Sequence, residues 1–367
     1  MVTSTTSPPA SSQPPEMSQT PSRQPKRRPV PSTPLDKKSM EYVVRSGIAG
    51  GVAGCAAKTL IAPLDRIKIL FQTSNPHYKK YSGSMVGLVR AMQHIWLVDG
   101  VRGFFQGHSA TLIRIFPYSA VKFIAYEQIR NILIPTKTYE THVRRFASGS
   151  LAGLCSVFVT YPLDVIRVRL AYTTDQENVR LTDIIKEMYR EAPSKTLVER
   201  SFIPNWFAHW CNFYRGYTPT VLGMIPYAGV SFFAHDLVHD ILCHPAFAKY
   251  SVLPLSEDAK RQMKEKNQRV PLKTWAELVS GGLAGMLSQT ASYPFEIIRR
   301  RLQVSAVSFK FNEEHKFIGI GEMAKVIYKE RGWRGFFVGL SIGYIKVAPM
   351  VACSFFVYER MKYYMGI

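Results

Sequence analysis

The sequence is short of acid. Its 26 Asp and Glu stand against 47 Lys and Arg, a formal charge of +21, which suits a polyanionic partner: nucleic acid, anionic lipid or a small phosphorylated solute. Cysteine is sparse too. The five, Cys55, Cys155, Cys211, Cys243 and Cys353, contain no CxxC pair, so a paired-thiol motif is excluded and they read as small packing residues of a reducing or membrane interior. Long charge-free apolar runs are missing: Arg45 and Lys58 interrupt the first candidate helix, Arg114 and Lys122 the second, and Lys346 the last. The mean hydropathy is only −0.05. A catalytic group is also missing, since His94, His108 and His142 are scattered and no nucleophile, base and orienting side chain can be assembled, which argues against an enzyme. Residues 1–39 have too few apolar groups to offset chain entropy and are expected to be a disordered Pro/Ser-rich tail. That tail has no signal-peptide core, and its prolines forbid the amphipathic helix of a transit peptide.

What is present is one pattern, three times over. Gly50 and Gly54 precede Pro63-Leu64-Asp65-Arg66-Ile67-Lys68; Gly149 and Gly153 precede Pro162-Leu163-Asp164-Val165-Ile166-Arg167; Gly281 and Gly285 precede Pro294-Phe295-Glu296-Ile297-Ile298-Arg299. The distances from glycines to proline, acid and base are the same in each copy, which chance does not produce three times. Between these landmarks Gly107, Gly216 and Gly339 each open an apolar run with an internal proline, Pro117, Pro226 and Pro349. Each repeat therefore holds two long helical segments, six in all. The chain divides into the tail 1–39, repeats at 40–138, 139–243 and 271–367, and a charged loop at 244–270.

The first helix, Glu41 to Gln72, is about 32 residues or roughly 48 Å, longer than a hydrocarbon core of about 30 Å. Pro63 supplies a bend by removing a backbone hydrogen bond. The GxxxG pairs are expected to let a neighbouring backbone approach where lipid gives no hydrophobic drive. Ionisable residues inside spans are expected where helices line a watery path, and Leu340 to Val357, with Lys346 its only charge, is long enough to cross. A membrane protein is the reading, against a soluble helical repeat. After Gln72 a short amphipathic helix, about Gly83 to Val98, leads to Gly103-Phe104-Phe105-Gln106-Gly107, matched by Gly335-Phe336-Phe337-Val338-Gly339. Repeat two is longer here, with Trp206, Trp210 and Phe213 before Gly216. The even helices end alike in Glu127 with Arg130, Asp236 with His239, and Glu359 with Lys362. Any one such pair is an ordinary surface i, i+3 contact; threefold repetition argues for two rings of charge, one at each end.

These P-x-[DE]-x-x-[KR] runs, the acidic-x-x-basic runs closing the even helices and the three-repeat plan resemble the mitochondrial carrier family over roughly Glu41 to Ile367. The resemblance implies an all-α membrane fold of six transmembrane helices in three pseudo-symmetric repeats, forming a barrel with short matrix helices. It implies a multi-pass protein of the mitochondrial inner membrane with both termini in the intermembrane space, no cofactor, a monomer, and cardiolipin as bound lipid. Alternating access would run between two salt-bridge gates. The matrix gate would pair Asp65 with Arg167, Asp164 with Arg299 and Glu296 with Lys68, braced by Gln72 and Gln303, with Ala171 at the third brace position. The cytoplasmic gate would use Glu127, Arg130, Asp236, His239, Glu359 and Lys362. Treated as exposed pairs, each contributes at most about 1 kcal/mol.

By the same resemblance, substrate contacts fall at Arg114, at Gly223 with Met224, and at Lys346, joined by Lys58, Lys122 and Tyr227. No acid lies in the mid-helix segments to neutralise these bases, so a multiply charged anion is expected there. The glycine-apolar pair Gly223-Met224 is similar to nucleotide-type carriers, whereas keto-acid and amino-acid carriers place arginine there. Tyr227 is placed to stack an adenine. The stretch Lys58 to Leu70 with Gln72 looks most like the coenzyme A carriers related to the Graves disease carrier protein, fungal type. The alternative is an ATP-Mg/phosphate or adenine nucleotide carrier; no EF-hand loop occurs in the tail, and the adenine nucleotide exchanger's run of three arginines and three methionines is missing. Nucleic acid is not an expected partner, because the bases follow helix register instead of clustering on one face.

Overall fold

The computed structural model describes residues 40–136, 141–174, 179–191, 209–253, 270–308 and 318–366. The tail, the charged stretch Glu257 to Arg269 and Trp206 lie outside these residues. Among the described residues the structure is helical, apart from one antiparallel bridge between Val252 and Leu272.

Three helical units follow one another. The first is α1 (Met40–Gln72), α2 (Met85–Phe104) and α3 (His108–Leu133); the second is α4 (His142–Tyr172), α5 (Leu181–Arg190) and α6 (Tyr217–Cys243). A short α7 (Pro245–Ser251) leads to the third: α8 (Thr274–Ser308), α9 (Ile320–Arg331), α10 (Leu340–Ile345) and α11 (Val347–Met365). Pro63, Pro162 and Pro294 sit inside α1, α4 and α8 without ending them. The expected short helix at Gly83 to Val98 is α2, which runs on past Gly100 at φ 64° to Phe104. The expected span at Leu340 to Val357 is divided at Lys346. Pro349 has no N–H to give the carbonyl of Ile345, so the ladder is broken there while Lys346 itself keeps helical angles.

Each of α3, α6 and α10 starts from a glycine in the left-handed region, Gly107 at φ 81°, Gly216 at φ 81° and Gly339 at φ 80°. Conformation is only half of the reason for glycine. A Cβ on Gly107 would lie 2.8 Å from the carbonyl oxygen of Arg167 on α4, and one on Gly216 would lie 3.0 Å from that of Arg299 on α8. The start of each such helix is thereby set against the next unit, beside its proline-motif base.

The close helix contacts join neighbouring units: α3 with α4, α6 with α8, and α11 with α1. The expected GxxxG faces do not make them. A Cβ on Gly50, Gly54, Gly149, Gly153, Gly281 or Gly285 would meet nothing within 4 Å. The buried small-residue stripe lies one residue earlier: Ala49, Ala53 and Ala57; Ser148, Ala152 and Ser156; Ser280, Ala284 and Ser288. One residue is a turn of roughly 100°, which aims the glycines at open space and the alanines and serines at the partner. The hydroxyls of Ser148 and Ser156 donate to carbonyls of their own helix, Arg144 and Ala152, both at 2.8 Å, and so need no partner across the contact.

Three apolar clusters attach the short helices to the far halves of α1, α4 and α8, built on Ile67, Leu88 and Ile95, on Val165, Ile184 and Met188, and on Ile297, Met323 and Ile327. A fourth, of Ile69, Val168, Ala171, Tyr172 and Val304, forms where α1, α4 and α8 meet. That convergence positions the site. Four helical stretches are long and apolar enough to cross a membrane: Val44–Gln72, Arg144–Tyr172, His209–Cys243 and Ile320–Met365. Helices α3, with Arg114 and Lys122 in its middle, and α8, rich in Ser, Gly, Gln and Thr from Ser280 to Ser292, fall outside that group.

The stripe and the glycines behave oppositely on substitution. We expect Ala152→Leu to destabilise the fold by about 1–3 kcal/mol through overpacking, and Gly153→Ala to stabilise it by up to about 1 kcal/mol through helix propensity. Thermal unfolding of the purified variants in one detergent checks the signs; equal losses for both would contradict the stripe.

Candidate functional site

Where α1, α4 and α8 meet, the acid two residues after each proline turns toward the junction. Arg167 Nη2 donates to Asp65 Oδ2 at 3.0 Å, Arg299 Nη2 to Asp164 Oδ2 at 2.7 Å, and Lys68 Nζ to Glu296 Oε1 at 2.9 Å. Every pair joins two different helices, so that α4 holds α1, α8 holds α4 and α1 holds α8. Asp164 is 1% exposed and Lys68 5%. That corrects the sequence expectation of exposed pairs. For a buried pair, removing one partner leaves an uncompensated charge, a loss of about 3–5 kcal/mol.

Two corners of this ring are reinforced. Gln72 Nε2 donates to Glu296 Oε1 at 3.0 Å and to the Tyr293 hydroxyl at 3.1 Å; Gln303 Nε2 donates to Asp164 Oδ2 at 2.9 Å and to the Tyr161 hydroxyl at 3.2 Å. Each tyrosine hydroxyl in turn donates to the carbonyl of the residue before the helix-starting glycine, Tyr293 to Val338 at 2.9 Å and Tyr161 to Arg215 at 3.0 Å. Sequence reasoning missed these tyrosines, although Tyr-Pro in the second and third motifs was visible. The first motif reads Ala62-Pro63. At the Asp65–Arg167 corner the glutamine and the tyrosine are therefore both replaced by alanine, Ala171 and Ala62, and these line a small gap beside Gly107 and His108.

The even-helix bases come down onto the same carboxylates. Arg114 Nη1 donates to Asp164 Oδ1 at 2.7 Å, and Lys346 Nζ donates to Asp65 Oδ1 at 2.8 Å. The sequence expectation that no acid neutralises them is corrected: Asp164 and Asp65 do, because both bases stand two turns beyond a glycine packed against the acid's helix or its neighbour. Arg300, not singled out from sequence, adds bonds to Asp164 Oδ2 at 3.1 Å and to Gln303 Oε1 at 2.9 Å. Its position in the motif is that of Ile69 and Val168 in the apolar cluster, and this departure from the other two motifs was the available signal. Lys68, Arg114, Arg167, Arg299, Arg300 and Lys346 thus share Asp65, Asp164 and Glu296.

The remaining predicted contact residues are more dispersed. Lys58 Nζ lies 3.6 Å from Met350 Sδ. Lys122 is exposed, and so is Tyr227. A Cβ on Gly223 would lie 3.0 Å from Cβ of Phe295, so this glycine lets α6 touch α8. Met224 packs against the cluster around Val165 and Tyr161.

At the other end of the helices the geometry differs. Lys362 Nζ lies 3.7 Å from Glu359 of its own helix; His239 Nδ1 lies 3.8 Å from Asp240, and its Nε2 lies 3.0 Å from the Val270 carbonyl. Glu127 and Arg130 line a cleft of about 530 Å³ with Phe123, Tyr126 and Asn131. Asp236 is half-buried. On the ring side, a second cleft of about 560 Å³ opens between the start of α2, at Gly83 and Ser84, and Arg331, Trp333 and Arg334. Among the described residues no cluster of His, Cys, Asp and Glu is arranged to hold a metal ion.

A family model described as mitochondrial carrier protein matches the chain three times, over residues 39–137, 139–245 and 270–366. A mitochondrial carrier protein of Saccharomyces cerevisiae is 72% identical over 335 residues, which is 91% of this chain and 94% of the relative. Solute carrier family 25 member 16 of Homo sapiens is 38% identical over 323 residues, 88% of each chain. A mitochondrial coenzyme A transporter of Danio rerio is 33% identical over 337 residues, 90% of each. The chain belongs to the mitochondrial carrier family, as a multi-pass transporter of the mitochondrial inner membrane and not an enzyme.

Proposed function

We propose that this carrier moves coenzyme A, or a closely related adenine phosphate such as dephospho-coenzyme A or adenosine 3′,5′-diphosphate, into the matrix by alternating access. The observation that carries the reading is the pairing of Arg114 with Asp164 and of Lys346 with Asp65. In the empty carrier these bases are held by carboxylates; a phosphate or pyrophosphate offers them equally charged oxygens. Substrate therefore takes Arg114 and Lys346 by exchange, with no bare charge created at any stage, and the ties from α3 to α4 and from the α10–α11 junction to α1 are released. The similarity to a coenzyme A transporter supports the substrate class, and the surplus of base over acid at the ring supports a multiply charged anion.

In this reading α1, α3, α4, α6, α8 and the pair α10–α11 are six spans of a three-repeat barrel. The ring of Asp65, Lys68, Asp164, Arg167, Glu296 and Arg299, with Gln72 and Gln303 beneath, is the closed matrix gate. Glu127, Arg130, Asp236, His239, Glu359 and Lys362 form the cytoplasmic gate when the matrix gate parts. The faces of Gly50, Gly54, Gly149, Gly153, Gly281 and Gly285, open here, then receive a neighbouring helix. Lys58, Gly223, Met224 and Tyr227 surround the adenine and phosphates between the gates. The cleft at Ser84 and Arg334 holds a cardiolipin headgroup, whose phosphates meet the first amides of α2 and the guanidinium groups. One chain closes the ring by itself, which supports a monomer.

Uptake of coenzyme A, dephospho-coenzyme A, ADP and ATP-Mg into proteoliposomes tests the proposal. Coenzyme A is expected to be taken up, and Arg114→Ala or Lys346→Ala is expected to lower that uptake at least about tenfold, since one charge-assisted contact is worth roughly 1.5–3 kcal/mol. Robust ADP exchange with no coenzyme A uptake by the unmodified carrier would overturn the substrate.

For the gate, the corner whose acid holds no additional base, Glu296 with Lys68, is the cleanest to reverse. Exchanging Lys68→Glu together with Glu296→Lys is expected to recover part of the transport that either change alone removes, because the cycle isolates their coupling. Asp164 is a poorer choice, as an arginine there would face Arg114 and Arg300. No recovery in the double variant would count against the pairing as a gate.

Lys122 lies two turns, about 12 Å, along α3 from Arg114, and is exposed. We expect it to read the 3′-phosphate, so that Lys122→Ala lowers uptake of coenzyme A more than that of dephospho-coenzyme A. Equal losses for the two substrates would remove this role.

A further inference from the structure

Helix α6 ends its apolar stretch at Cys243, at the end of the fold opposite the salt-bridge ring. The chain does not simply leave for solvent. It turns into α7, and the hydroxyl of Ser251, fully buried, donates to the carbonyls of Phe247 at 2.8 Å and Leu242 at 2.5 Å, which pins α7 to the last turn of α6. The bridge then closes: Leu253 N donates to the Pro271 carbonyl at 3.2 Å and Lys273 N to the Ser251 carbonyl at 2.7 Å, with Leu272 buried beneath. Residues 251–253 and 270–273 are thereby clamped together directly before α8.

This clamped module carries large apolar side chains that stand exposed among the described residues. Phe247 is 54% exposed, Tyr250 66%, Trp275 50% and Leu278 77%. A surface of that composition is unfavourable in water. We propose that α7, the bridge and the first turn of α8 form a foot that docks on the phospholipid surface at the end of the molecule opposite the salt-bridge ring. Three observations select lipid as the occupant. The foot continues directly from a stretch apolar enough to span, so its height is that of the bilayer boundary. Tyr250 and Trp275 are the residue types that settle at headgroup depth, apolar ring inward and polar edge outward, and Leu278 lies on the side of α8 away from the stripe Ala276, Ser280 and Ala284 that packs in the protein. Lys249 and Lys273 flank the patch and suit headgroup phosphates, their stems lying along the apolar surface.

The foot is wired to the site. His239 Nε2 is 3.0 Å from the Val270 carbonyl, so the module that grips the lipid also holds one member of the proposed cytoplasmic gate. The docking surface itself rests on the membrane location and not on the substrate reading.

The test places a benzoylphenylalanine photo-crosslinker at residue 247, 250 or, as control, 77, an exposed position at the ring end, of the full chain in liposomes of phosphatidylcholine, phosphatidylethanolamine and cardiolipin. Irradiation is expected to give phospholipid adducts at 247 and 250, at least about threefold above 77, as read by mass spectrometry. Adducts to this chain, to a second copy or to no acceptor would overturn the proposal. Nitroxide labels on Phe247→Cys and Tyr250→Cys give an independent readout: collision with oxygen exceeding collision with an aqueous nickel chelate is expected, and the reverse order overturns it.

Discussion

Three carboxylates at one junction are shared among more bases than they can neutralise. Burying a carboxylate is unfavourable unless its lone pairs are taken up, and here Asp164 accepts from Arg114, Arg299, Arg300 and Gln303. The rest of the molecule serves that requirement. Pro63, Pro162 and Pro294 sit inside the helices that meet there, the glycines at the starts of α3, α6 and α10 let the next unit come within contact, and the apolar cluster of Ile69, Val168, Tyr172 and Val304 packs at the same junction. A further set of ties fixes the short helices to the same three elements: Arg66 to Asp99 at 3.1 Å, Arg301 to Glu330 at 3.0 Å, and Arg169 to Glu191.

Surplus positive charge is the second consequence of this arrangement. A junction with six bases and three acids remains attractive to anions even when every acid is paired. The acids hold these bases in place, five of the six only half-buried, so an anion that met them would find donors already ordered and would lose less side-chain freedom on binding. The same carboxylates thus keep the structure together and keep those donors in order.

Much of this was legible in the sequence because it was written three times. The proline, acid and base positions and the helix-starting glycines follow from register, and the cyclic order of the pairs was what the family resemblance implied. What register concealed is what differs between copies or lies one residue away. Tyr161 and Tyr293 were hidden because the first copy has Ala62. Arg300 was hidden because its counterparts are Ile69 and Val168. The GxxxG pairs drew attention to themselves as glycines, while the contact is made by Ala49, Ser148 and Ser280 and their fourth-neighbours, which have ordinary composition and become visible only through burial. The capture of Arg114 and Lys346 by Asp164 and Asp65 needed side-chain reach across helices, which no linear spacing encodes.

The threefold plan is pseudo-symmetric, and its departures fall unevenly. The Asp164–Arg299 link has a glutamine, a tyrosine and two additional arginines around its acid, Arg114 of the first unit and Arg300 of the third; the Glu296–Lys68 link has a glutamine and a tyrosine; the Asp65–Arg167 link has alanine in place of both, a small gap alongside and Lys346 of the third unit on its acid. Asp65 and Asp164 each tie all three units, the one through Arg167 and Lys346 and the other through Arg114, Arg299 and Arg300, whereas Glu296 joins the third unit to the first alone. A ring built of two three-way joints and one two-way joint has unequal corners, and no turn by a third of a revolution maps it onto itself.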